Sequence, residues 1–105
     1  MLHDSPQELA ADYLGTYFAA RAGFSENDCV RGEEGYVAYL AGHKEMGHKN
    51  LMARQRRMLN AHAEVRLPAL RLVAREIAEK RAAGQPLLPE AARLVSLGKP
   101  DDPAK

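Results

Sequence analysis

The sequence has no tryptophan, a single cysteine, one threonine, one isoleucine and only two phenylalanines. It also has no apolar run approaching the roughly 20 residues a membrane-spanning helix requires. Each shortage excludes something. A lone Cys29 makes no internal disulfide, so cysteine usage does not point to an oxidising compartment. The N-terminus Met1-Leu2-His3-Asp4 lacks the basic region of a secretory signal. A soluble, cytoplasmic chain with no membrane contact is therefore expected. With β-branched residues so few, sheets have little support, and abundant Ala, Leu, Arg and Glu favour helices.

The chain has 105 residues, of which 46% are hydrophobic, enough for one core but not two. The expectation is an all-α, compact bundle of four or five short-to-medium helices over residues 1–98. The Pro- and Asp-rich stretch 99–105 reads as a disordered tail. A net charge of +1 conceals segregation: residues 1–43 carry seven acidic against two basic side chains, and residues 44–81 carry ten basic against four acidic. Such an arrangement either packs an acidic layer beside a basic one, within the chain or across a homodimer, or leaves a basic face for a partner.

Punctuation divides the chain. Ser5-Pro6-Gln7-Glu8 reads as a capping box opening a helix that runs to about Ala22, with Leu9, Tyr13, Leu14, Tyr17 and Phe18 at helical spacing. Ser25 is a second N-cap. Gly32 and Gly35 are expected to leave that helix short, with a separate segment from about Glu33. From Lys49 to Arg66 the pattern is strongly amphipathic, with Leu51, Met52, Met58, Leu59, His62 and Val65 on one face. Full burial there would make Met58→Ala cost about 2 to 5 kcal/mol. Pro68 predicts a kink or break, because it lacks an amide hydrogen and clashes with the preceding turn. Helical spacing resumes through Leu70, Val73 and Ile77 to Gly84, and Pro89-Glu90 opens a last helix ending at Gly98.

No constellation for catalysis emerges. The serines have capping or loop roles, Cys29 follows acidic residues rather than the cations that activate a thiol, and no phosphate-cradling glycine loop occurs. His43, His48 and His62 are metal-ligating types, but His43 and His48, five apart, fall about 140° apart on a helix, so no metal and no cofactor is expected. Gln55 and His62 interrupt the apolar stripe, where polar side chains need buried partners or a second molecule. The cations Lys49, Arg54, Arg56, Arg57 and Arg71 form the candidate partner-binding set, with Arg56, Arg57 and Arg71 opposite the stripe.

Gly35-Tyr36-Val37-Ala38-Tyr39-Leu40-Ala41-Gly42, followed after one residue by Lys44-Glu45-Met46, resembles the first-helix segment of the ribosome modulation factor family. These are short bacterial proteins that bind ribosomal RNA and silence ribosomes. The resemblance covers about a dozen residues, and the family's Trp-containing second half has no counterpart here. The residues themselves suggest a non-enzymatic helical binding protein acting stoichiometrically on a larger protein or complex, a regulator or inhibitor of the kind carried by phages and plasmids. The alternative is an RNA- or DNA-associated regulator using the basic segment 44–81. A homodimer whose acidic and basic regions face each other is a third reading.

Overall fold

Helix boundaries follow local capping chemistry. In a computed structural model describing residues 6–42 and 49–98, with only the backbone of residues 49–52, helix α1 spans Pro6–Arg21 and α2 Asp28–Gly42. Helix α3 spans Lys49–Ala61, a π turn follows at His62–Arg66, α4 spans Leu67–Ala82 and α5 Ala91–Gly98. No strand occurs among the described residues, so the fold is all-α. Ser5 and the stretch 99–105, read above as a cap and a tail, lie outside the described residues.

Both long reversals use a glycine in the left-handed region. Gly23 has φ +103° and Gly84 φ +68°. In each case the next amide reaches back to the helix: Phe24 N–H donates to the Ala19 carbonyl at 3.0 Å, and Gln85 N–H to that of Lys80 at 2.8 Å. These bonds satisfy carbonyls that the helix end would otherwise leave open. At the start of α2, the Asn27 amide donates to Ser25 Oγ and the Ser25 amide to Asp28 Oδ2, both at 3.1 Å. Ser25 is thus the cap the sequence indicates.

The expected interruption of α2 does not occur. The helix runs straight through Gly32 and Gly35. Two interior glycines cost about 1 kcal/mol each relative to alanine. Burial of Val30 and Leu40, with Val37 packed on the core, offsets that cost.

Pro68 does not break its helix either. Regular geometry would drive its ring into the Glu64 carbonyl. The chain instead widens by one π turn just before it, where the Leu67 amide bonds to the carbonyl of His62, five residues back. Helix α3, the π turn and α4 therefore form one continuous rod. From Lys49 to Ala82 such a rod rises about 50 Å, which is the long dimension of the molecule, 51 Å.

Against the α4 half of this rod lie α1 and α2, and α5 closes over α1. The core comprises Tyr13, Tyr17 and Ala20 of α1, Val30 of α2, and Leu67, Leu70, Val73, Ala74 and Ile77 of α4, with Leu94 and Leu97 of α5 packed on it. Phe18, placed in the α1 stripe by sequence, is 62% exposed, because the buried row runs through Tyr13, Thr16, Tyr17 and Ala20. The α3 half packs chiefly on α2. Covered from one side, Met58 and Val65 are half-buried and belong to no core cluster, so the penalty expected for a fully buried Met58 does not apply. Leu51 has no described side chain.

A Cβ added at Gly32 or Gly35 meets nothing within 4 Å. Gly32→Ala and Gly35→Ala should each stabilise the protein by about 0.5 to 1 kcal/mol, whereas Gly84→Ala, at positive φ, should destabilise it. Thermal melts of the three variants check this; a loss of stability in the α2 variants would show that the outer face of α2 is packed in solution.

Candidate functional site

The polar side chains sort into groups committed inside the fold and groups left at its surface. The π turn anchors the first set. His62, at its first position, is 5% exposed and bonds through Nδ1 to Glu33 of α2, with the edge of Tyr36 against its ring at 4.8 Å. Arg66, at its last position, makes a bidentate bond to Asp12 of α1 at 2.8 and 2.9 Å, with Glu8 at 3.7 Å. The hydrogen bonds that Arg66 donates to Asp12 raise its guanidinium above its ordinary value despite partial burial. One turn of helix thus ties the rod to both α2 and α1. His62 finds its partner inside the fold, as one of the two outcomes weighed for it required.

A second cluster joins α1, α4 and α5. Tyr13 and Tyr17 both donate to Glu76 Oε2, Arg93 donates to Glu76 Oε1 at 3.2 Å, and the Glu90 amide donates to the Tyr13 hydroxyl at 2.9 Å. Burial and the bond to Glu76 push both tyrosine hydroxyls far above their ordinary range. Burial alone would raise the Glu76 carboxyl, but its bonds from Tyr13, Tyr17 and Arg93 together hold it below the usual carboxylate value. With every member bonded, the cluster is a fastening for α5 and offers no reactive group to solvent.

Acidic and basic regions meet within the chain. Besides Asp12–Arg66, Glu34 pairs with Arg71 at 3.0 Å and Glu26 with Arg81 at 2.8 Å. Arg71, one of the candidate partner-binding residues, is therefore exposed but already paired. Arg54, Arg56 and Arg57 are exposed on α3 and make no ion pair among the described residues, as does Arg75 on α4, which the candidate set omitted. Lys49 opens α3, but its side chain lies outside the described residues, as do His43 and His48. Among the described residues no three His, Cys, Asp or Glu side chains converge as metal ligands.

Sequence reasoning missed the aromatic side of this region. Tyr36 and Tyr39 stack at 6.3 Å with rings 15° from parallel, and Tyr39 is 57% exposed. Their spacing of three places them on one helix face, a signal available from the start. Gln55 keeps its position in the stripe, and its Oε1 is enclosed without a hydrogen-bond donor. An apolar groove between α1, α4 and α5 is lined by Leu9, Leu70, Leu72, Val73 and Leu97.

The Glu76 cluster sets a pH dependence. A lowered carboxyl favours the fold above its ordinary value of 4.5, and that contribution is lost as acid protonates it through its lower folded value. Raised tyrosine hydroxyls favour the fold below their ordinary 10.0, and that contribution is lost as alkali ionises them above it. Urea unfolding across pH should show a plateau between about 5 and 10 with both limbs reduced in Glu76→Gln, and a cost near neutrality of about 1 to 3 kcal/mol. Unchanged limbs in the variant would exclude Glu76 as their source.

Comparison with protein-family models, curated proteins and solved structures finds no match to this chain, so the resemblance across residues 35–46 carries no family assignment and function must be argued from the site.

Proposed function

We propose that the chain is a non-enzymatic binding protein that docks stoichiometrically on an acidic surface of a larger protein or complex, acting as a regulator or inhibitor. The observation that carries this reading is the selective pairing of charge. Acidic side chains of α1, α2 and the loop between them hold Arg66, Arg71 and Arg81, yet Arg54, Arg56, Arg57 and Arg75 stand exposed along the α3–α4 rod with no ion pair among the described residues. Unpaired arginines on a rigid helix cost little entropy to engage and steer an acidic partner. The buried polar clusters, in contrast, are bonded internally and hold no accessible acid, base or nucleophile. No helix among the described residues is long and apolar enough to cross a membrane.

A second reading rests on the same arginines. Arg56 and Arg57 lie opposite the apolar stripe and could meet nucleic-acid phosphates, as residues 35–46 would imply by their resemblance to a ribosome-binding family. Against it, ion pairs engage Arg66, Arg71, Lys80 and Arg81, four of the ten cations of the basic segment, which weakens the field for a polyanion.

Charge reversal at Arg56 and Arg57 separates the two. Affinity capture with the intact chain should recover a protein partner that Arg56→Glu/Arg57→Glu loses, chiefly through slower association, with helicity and melting unchanged. Wild-type protein should bind generic DNA or RNA only weakly at physiological salt. Tight, salt-sensitive nucleic-acid binding abolished in the double variant would replace the first reading with the second.

A further inference from the structure

The α2–α3 hairpin is the least self-sufficient part of the fold. No residue of α3 with a described side chain is fully buried, and Gln55, Met58 and Leu59 are half-covered by the one helix they chiefly pack on. Leu40, the buried residue nearest the end of α2, stands apart from the main core cluster. On this half-covered ground lie an exposed stacked pair, Tyr36 and Tyr39, and Arg54 at the edge of the stripe, with Arg56 and Arg57 on the outer face of α3; none of the three arginines makes an ion pair among the described residues.

We propose that the hairpin formed by α2 and α3 is a docking surface whose occupant is an acidic amphipathic helix of a partner protein. The inference rests on the binding role argued above and specifies its site and partner chemistry. Charge complementarity selects the occupant. The acidic side chains of α2 are already engaged, Glu33 by His62, Glu34 by Arg71 and Asp28 by Arg31, so among the described residues the three arginines leave α3 locally positive. A second copy would set those arginines against their own like, which repels. A nucleic-acid backbone would use the arginines alone and leave the Met58–Leu59 stripe uncovered. An amphipathic helix covers that stripe, with apolar side chains laid along it and the tyrosine pair, and carboxylates reaching Arg54, one turn before Met58 at the stripe's edge.

The test is an NMR titration of the full 15N-labelled chain. The probe is a synthetic 18-residue peptide with leucines on one helical face and glutamates on the other; a scrambled peptide of the same composition and an oligouridylate serve as comparisons. Shifts should concentrate at residues 36–40 and 53–59, with the scrambled peptide about tenfold weaker. Arg54→Glu/Arg57→Glu should weaken binding about tenfold, and Tyr39→Ala about fivefold, with helicity unchanged by circular dichroism. The proposal is overturned by no binding at about millimolar peptide, by equal binding of the scrambled peptide, or by shifts confined to α1 and α5. Stronger shifts of the same amides by oligouridylate would assign the surface to nucleic acid, and concentration-dependent dimerisation perturbing them would assign it to a second copy; either overturns it. A captured protein partner that tolerates Tyr39→Ala and Arg54→Glu would remove this site while leaving the binding role standing. Failure to capture any partner removes the role itself.

Discussion

Pro68 is the constraint around which the rest of the molecule is arranged. A proline inside a helix must kink it, end it or be accommodated by a local change of pitch. Here the single π turn at His62–Arg66 accommodates it, and the rod continues from Lys49 to Ala82. The same turn places His62 against Glu33 of α2 and Arg66 against Asp12 and Glu8 of α1. A break at this point would separate α3 from the core and remove both anchors together. The π turn is thus the joint through which the amphipathic α3 segment is held to the body of the protein.

That joint also decides which charges remain for a partner. Acidic residues of the N-terminal region reach the basic residues of the rod only where α1 and α2 lie beside it, at Arg66, Arg71 and Arg81. Beyond the π turn, α3 has α2 as its chief neighbour, whose glutamates already bond to His62 and Arg71. Among the described residues no acidic side chain pairs with Arg54, Arg56 or Arg57. A segregated sequence thereby becomes a paired body with an unpaired basic arm, and the proposed binding role follows from that asymmetry.

Much of the fold was legible locally. The caps at Ser25 and the reversals at Gly23 and Gly84 depend on chemistry within a few residues, and the core row Leu70, Val73 and Ile77 follows from helical spacing. What failed involved competition between local cost and distant gain. Gly32 and Gly35 looked like breakers, since the burial that holds α2 together is supplied by other helices. Glu76 carries no local signal beside Ile77, yet it receives Tyr13 and Tyr17 from 63 and 59 residues away. Of the candidate partner-binding residues, Arg54, Arg56 and Arg57 stand outside any ion pair among the described residues. Arg71 does not, because its engagement by Glu34 depends on a helix packing that periodicity alone cannot reveal.

The continuity of the rod through Pro68 is tested most directly by a distance across it. In a Cys29→Ala background, spin labels at Arg57→Cys and Glu79→Cys, both exposed and outside any ion pair, bracket the π turn and the proline. A continuous helix separates these positions by about 33 Å, at 1.5 Å per residue, and the account predicts one narrow distribution near that value in pulsed dipolar spectroscopy. A broad distribution, or one centred well short of about 25 Å, would mean that the chain breaks at Pro68 and that α3 is not held as described.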